Sequence, residues 1–221
     1  MKTITRLKDM DRIELSLKGD TGVCIVGCGT CATMCRTGGQ DEVRAMKRSL
    51  QAIGKVVTGT MVVPTACDEL SPQAVRDHKQ AFADADCVLA MTCAFGVQTL
   101  ASVLSKAVVP ALDTLFLGKE QAVGTYSEIC MQCGECVLED TAGICPVTAC
   151  HKGLLNGPCG GTNKGKCEID KDTDCAWTMI YNRLQSLGRL DRMRKYQPPK
   201  NHQAVPKPGK VRIPLQGSEA Q

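Results

Sequence analysis

The chain has 221 residues, of which 43% are apolar but only 3% aromatic, so its core must be built from aliphatic side chains. A net charge of +4 is too small to imply a nucleic-acid partner, and no apolar run approaches the roughly 18 residues of a membrane span. Fifteen cysteines stand out, and the opening MKTITRLKDMDRIELSLKGD has neither an apolar stretch nor a cleavage-like site, so a cytoplasmic protein is expected, its thiols reduced and serving metal or catalysis rather than disulfides.

Along the chain, VCIVG (23–27) reads as a short strand ending in Gly. Residues 39–54 read as a helix, with Val43, Met46, Leu50 and Ile53 at near-helical spacing and Gly54 as a stop signal. KVVTGTMVV (55–63) is β-branched and strand-like. Ser71-Pro72 opens a helix expected to run to about Phe82, with Ala74, Val75, Ala81 and Phe82 facing inward. CVLAMT (87–92) is a third strand, Val97, Leu100, Ala101 and Leu104 mark a third helix, and residues 107–117 contain a fourth strand. Strands separated by helices predict an α/β fold, a Rossmann-like parallel sheet occupying residues 1–125. In such sheets ligands gather outside the carboxyl ends of the strands. Cys28, Cys67 and Cys93 each fall just after a strand and should meet at that edge. Cys24 and Cys87 lie inside strands and read as buried, inert thiols.

The character changes at Tyr126. Residues 126–180 are rich in Cys, Gly and Pro with little periodicity, and predict a small cysteine-rich, metal-ordered domain. Residues 175–196 look helical again, with Met179, Leu184, Leu187 and Leu190 available for packing. Residues 181–221 are expected to comprise the rest of that helix and an extended C-terminal tail holding five prolines (198, 199, 206, 208, 214). From Arg189 onward there are eight Lys/Arg against two acids, Asp191 and Glu219. That pattern fits a solvated basic tail or, more sharply, a docking arm.

The strongest motif is Cys130-x2-Cys133-x2-Cys136, followed by Cys145-Pro146. Two-residue gaps let one tight loop present three thiolates to one cluster, the opening used by bacterial ferredoxins, which add a remote Cys before Pro. Here the last gap is eight residues rather than three, so the match is partial. Cys150, Cys159, Cys167 and Cys175 follow, giving eight cysteines in 46 residues and enough for two four-ligand sites. The sequence leaves open which later cysteine joins the first three. Four thiolates also describe structural zinc, the rival at one of these sites, although zinc motifs usually present cysteines in pairs. The N-terminal set is Cys28-x2-Cys31-x3-Cys35. A helix starting near Cys31 would put Cys31 and Cys35 on one face. With Cys67 and Cys93 there are then five candidates for one four-ligand site.

Two features point elsewhere. Gly27-Cys-Gly29-Thr-Cys-Ala32 fits the dinucleotide fingerprint after a strand, but Val63-Pro64-Thr65 stands where the acidic residue for the ribose belongs. His78, His151 and His202 show no catalytic spacing; His151 beside Cys150 reads as a surface residue. In KGLLNGPCGG (152–161) the small residues would let backbone approach an inorganic centre.

The stretches GCGTCATMC, PALDTLFLG (110–118), CPVTACHKGLLNGPCGG, GKCEI and DCAW together resemble the cysteine-rich accessory (MetV-type) subunit of bacterial methylenetetrahydrofolate reductase, over about residues 20–180. The resemblance implies an iron–sulfur electron-transfer subunit in anaerobic one-carbon metabolism, with no substrate site of its own. Its partner would be a flavoprotein, the methylenetetrahydrofolate reductase catalytic subunit carrying FMN. Electrons would come from a donor protein, ferredoxin-like or a larger redox complex. The cysteines that match the family are Cys28, Cys31, Cys35, Cys67, Cys93, Cys130, Cys133, Cys136, Cys145, Cys150, Cys159, Cys167 and Cys175. They would hold two or three 4Fe-4S clusters, with Zn the alternative at one C-terminal site. Two other readings stand against this one: a zinc-held, non-redox docking subunit, and a self-sufficient nucleotide-binding oxidoreductase built on the GCGTCA turn.

Overall fold

A computed structural model describes residues 2–210. It divides into two compact units, one ending at Glu128 and one beginning at Ile129.

The first unit contains two sheets. The parallel sheet is formed by β2 (Gly22–Cys28), β3 (Val56–Val63), β4 (Cys87–Met91) and β5 (Ala107–Pro110), in the order β3-β2-β4-β5. These are the four strands expected from the alternation of apolar runs and helices. β2 and β4 are buried along their whole length, as the continuous apolar runs VCIVG and CVLAM require of strands covered on both faces. The connecting helices are α2 (Cys31–Met34), α3 (Gln40–Ala52), α4 (Leu70–Asp77), α5 (Lys79–Ala83) and α6 (Ala94–Val103). In α3 the residues Val43, Met46 and Leu50 are buried, the face read from their spacing; Ile53 falls at the cap and is more than a third exposed. The expected helix from Ser71 to Phe82 is broken at His78, which ends α4 and begins α5. Phe82 is still buried, and Ala74, Val75 and Ala81 pack against the core.

The second sheet was not foreseen. β1 (Lys2–Leu7), β6 (Leu112–Ala122) and β7 (Thr125–Glu128) form an antiparallel sheet in the order β1-β6-β7. Residues 107–117, read as holding one strand, supply two: β5 ends at Pro110, and β6 starts two residues later in the other sheet. Pro110 lacks the N–H that would extend a ladder, which suits a strand end. The opening residues also form α1 (Met10–Ser16), whose Ile13 is buried in the main core. Tyr126, taken from the sequence as the first residue of the cysteine-rich segment, lies in β7.

The second unit has little regular structure: α7 (Pro146–Ala149), α8 (Ala176–Ser186) and 3-10 turns at Leu190–Arg194 and His202–Ala204. Its buried cluster is Cys175, Trp177, Ile180 and Leu184. The expected packing set in α8 was partly out of phase. Leu184 is buried, but Met179 and Leu187 are exposed at 36% and 57%, and the inner stripe is Trp177–Ile180–Leu184. Pro214 and the charges Arg212 and Glu219 of the expected tail lie outside the described residues.

Candidate metal centres

In the first unit, Cys28 is the last residue of β2, Cys67 lies in the loop after β3, and Cys93 is the N-cap of α6, two residues beyond β4. All three stand at the carboxyl edge of the parallel sheet. β2 is the central strand from which the chain goes first to β3 and then across to β4, so Cys28 and Cys93 flank the switch point of the sheet. A short helix does begin at Cys31, and the Cys35 N–H donates to the Cys31 carbonyl at 2.9 Å. The Thr33 hydroxyl donates to the Cys28 carbonyl at 2.7 Å and fixes this loop.

Burial and neighbouring charge together govern these thiols. Burial, then the Cys93 and Cys28 sulfurs, then Asp68 push the Cys67 thiol above its usual range. Burial raises Cys35, against a backbone hydrogen bond from Thr5, and Cys31 adds to the rise. Cys28, Cys67 and Cys93 thus share the carboxyl edge of the sheet, and Cys31 and Cys35 the adjoining turn. Cys24 and Cys87 are different. Both are fully buried in strands. Burial pushes Cys24 up to about 11 and, with Asp20 adding, Cys87 up to about 12. Groups so resistant to ionisation are packing residues.

Residues that sequence reasoning missed hold the Cys31–Cys35 turn in place. The Cys35 thiol donates to the Thr3 carbonyl at 3.8 Å, and the Tyr126 hydroxyl donates to the Met34 carbonyl at 2.7 Å. Lys2 pairs with Glu120 and lies 5.5 Å from the centre of the Tyr126 ring. The antiparallel sheet thus braces the cysteine turn. No local signal near Cys35 announces partners 32 and 92 residues away.

The glycines of the fingerprint GCGTCA are used internally. A Cβ on Gly27 would stand 2.3 Å from the Gly38 carbonyl oxygen, so glycine is required there for the close packing of the loop on itself.

In the second unit the eight cysteines separate into two sets of four. Cys130, Cys133, Cys136 and Cys145 line one cavity of about 100 Å³, together with Glu135 and Lys200. Cys150, Cys159, Cys167 and Cys175 line another of about 20 Å³, between α7 and the start of α8. Cys145 is the later cysteine that lines the same cavity as the first three. In the first set the Gln132 N–H donates to Cys130 Sγ at 3.4 Å, with Gln132 in the left-handed region at φ 54°. In the second set the Gly161 N–H donates to Cys159 Sγ at 3.4 Å.

Cys93, Cys145 and Cys175 are each the N-cap of a helix. Burial opposes ionisation of Cys175, but the Thr178 hydroxyl and N–H, with the Thr162 hydroxyl, hold it below the usual thiol range. Of the small residues in the 152–161 run, Gly157 packs on the Trp177 indole, where a Cβ would stand 2.3 Å away, while Gly160 beside Cys159 has nothing within 4 Å; the indole donates to the Leu154 carbonyl at 3.0 Å. His151 is 4.0 Å from Asp170 at the surface and lines neither cysteine cavity.

Thiolates sharing one zinc ion must stand about 3.8 Å apart, from Zn–S bonds of about 2.3 Å in a tetrahedron. Among the described residues no three His, Cys, Asp or Glu side chains are drawn together as a single metal ion requires. Four cysteines around a cavity with room for several waters suit a larger inorganic group instead, and the all-thiolate donor set is the one 4Fe-4S clusters take. The residues at Cys130, Cys133, Cys136 and Cys145 fit such a group.

Comparison with known proteins adds one family. Residues 109–203 match the family model described as methylene-tetrahydrofolate reductase C terminal. The match spans β6, β7, all eight C-terminal cysteines and the segment through Gln203. No curated protein matches the chain. Among solved structures, a substrate-binding periplasmic protein from Ralstonia solanacearum aligns with a TM-score of 0.33 at 12% identity, over 87% of this chain and 47% of that one. The chain spans about half the length of that structure, and similarity at this level carries no argument. Among the described residues no helix is long and apolar enough to cross a membrane.

Proposed function

We propose that this chain is an iron–sulfur electron-transfer subunit, cytoplasmic, that relays electrons from a donor protein to the FMN of a partner methylenetetrahydrofolate reductase subunit. The observation that supports it best is the sorting of eight cysteines into two separate four-cysteine cavities. Residues 126–180 act in this reading as a metal-ordered domain, and the family match supplies the link to folate chemistry. Cys130, Cys133, Cys136 and Cys145 hold a 4Fe-4S cluster, with the Gln132 N–H directed at Cys130 Sγ. In the first unit Cys28, Cys67 and Cys93, with one of Cys31 and Cys35, hold another. Such clusters store and release single electrons, which a flavin partner accepts one at a time. The chain's own residues set where the thiolates stand and what charge surrounds them.

A second reading concerns Cys150, Cys159, Cys167 and Cys175. Their cavity of about 20 Å³ has room for about one water-sized sphere, a volume nearer a single zinc ion than a cluster, around which the four thiolates would have to draw closer than they stand here. Zinc at this site would be structural, closing α7 against α8.

Metal and sulfide content of anaerobically purified protein, with a visible spectrum before and after dithionite, tests both readings. Abundant iron with matching acid-labile sulfide and a brown colour that bleaches is the expected result. One zinc per chain, lost in Cys167→Ser but kept in Cys133→Ser, would place zinc in the second cavity. A colourless zinc protein without reducible centres would overturn the electron-transfer reading. Cys133→Ser should further stop electron delivery while leaving the partner's chemistry with artificial reductants.

A further inference from the structure

The basic segment read as a free tail or docking arm folds back on its own unit. Gln197 is buried. Its N–H donates to Asn156 Oδ1 at 2.8 Å, and its carbonyl accepts from Asn156 Nδ2 at 2.8 Å. Its side-chain amide donates to Asp140 Oδ2 at 2.8 Å. Three residues on, Lys200 Nζ donates to the Glu135 carbonyl, and the Asn201 N–H donates to Glu135 Oε2 at 2.8 Å. Asn201 also accepts from the Gln203 N–H at 3.0 Å, capping the turn His202–Ala204.

Glu135 lies between Cys133 and Cys136, so both contacts fall on the loop that presents three of the four cysteines. The Glu135 carbonyl also accepts from the Cys133 thiol at 3.6 Å. Val205 completes the closure. Gly134, at φ 80°, has no room for a side chain, because a Cβ would stand 2.2 Å from Val205 Cγ2. Lys200 is half-buried and lines the cysteine cavity itself. The charged side chains lining that cavity are Lys200 and Glu135.

We propose that residues 197–205 are a strap over the Cys130, Cys133, Cys136 and Cys145 centre, and that Lys200 raises the reduction potential of the cluster held there. The inference rests on the iron–sulfur reading above. An all-thiolate cluster gains negative charge on reduction. A cation in the same cavity therefore stabilises the reduced form more than the oxidised one, and charge near the cluster is among the factors that set its potential. Glu135 has the opposite sign, and its carboxylate is turned toward the Asn201 N–H, so the two side chains bracket the potential from either side.

The test is a redox titration of the anaerobically purified full chain, followed by electron paramagnetic resonance with iron content measured in parallel. The relevant signal is the one absent from Cys133→Ser. Lys200→Met should keep its iron and lower the midpoint by about tenfold in the one-electron equilibrium, 59 mV. Lys200→Arg should restore it. Iron retained with an unchanged potential in Lys200→Met would overturn the proposal, as would a shift that Lys200→Arg shares in full, because a strap that only ties the loop needs no charge. If Lys200→Met loses its iron, Glu135→Gln decides. It leaves the Lys200 bond to the backbone carbonyl in place and should raise the midpoint; no rise overturns the proposal. Wild-type protein without iron or a reducible signal would instead overturn the iron–sulfur reading.

Discussion

The two units solve the problem of folding by different means. Among the described residues the first buries 24 apolar side chains in one cluster, centred on the fully covered strands β2 and β4. The second buries four: Cys175, Trp177, Ile180 and Leu184. An aliphatic core orders the first unit whatever its cysteines hold, since Cys28, Cys67 and Cys93 decorate the edge of a sheet that already exists. In the second unit the cysteines line the cavities around which the chain is arranged. Under the iron–sulfur reading proposed above, metal there would substitute for core.

The largest effect expected from this contrast is on metal removal. Stripping the protein anaerobically with a chelator should bring amide exchange across residues 129–210 close to that of an unfolded chain, while amides of β2 and β4 stay protected. Persistent protection around Trp177 and Leu184 in stripped protein would break the comparison.

Core truncation should come next. Leu89 in β4 is fully buried, and Leu89→Ala should cost roughly 2–5 kcal/mol in denaturant unfolding, equally with and without metal. Leu184, buried to 1% in α8, offers the same chemistry in the other unit. Leu184→Ala should destabilise loaded protein but have no transition left to shift once metal is gone. An equal cost in both states would mean that the small apolar cluster of the second unit folds by itself.

The same contrast explains what the sequence makes legible. In residues 22–110 local pattern and burial coincide: VCIVG and CVLAM are strands, and Val43, Met46 and Leu50 are an inner helical face, because a large core rewards periodicity. The antiparallel sheet was hidden because β1 and β6 are joined by pairing across more than a hundred residues, with mostly polar sequences such as KTITRL and LDTLFLGKEQA. α8 differs in phase from the expected set because its partners are short pieces, among them Ile144, Cys150 at the end of α7 and Leu190 and Met193 of the 3-10 turn, rather than another long periodic element. The cysteine spacing made two groups of four C-terminal cysteines legible but not which cysteine lines which cavity. Cys145 lines the cavity of the first three because it caps α7 beside it, and chain geometry of that kind leaves no trace in spacing. The folding back of residues 197–205 was equally invisible, since a basic, proline-rich run reads alike whether it is solvated or folded back.

The smallest effect concerns what fastens that run. Asp140 is 3% exposed in its side chain and accepts from Lys195 at 2.5 Å, Arg192 at 3.2 Å and the Gln197 amide at 2.8 Å. The Lys195 hydrogen bond, against burial and with help from Gln197 and Arg192, holds its carboxyl below the usual carboxylate range. A carboxyl depressed by folding adds stability that is present above its unfolded value, near 3.9, and is lost as pH falls through the folded value. The contribution should be constant at neutral pH and disappear in acid. Asp140→Asn should therefore loosen the 192–197 segment at pH 7 and differ little from wild type once the medium is acid enough to protonate Asp140. Trp177, the single tryptophan, lines the same cavity as Asp140 and Gln197, so its fluorescence reports the change directly. Acid also attacks thiolate ligands, but that loss is common to both proteins and cancels in their difference. A gap between them that persists or widens in acid would mean that shape at Asp140, not its charge, holds the segment down.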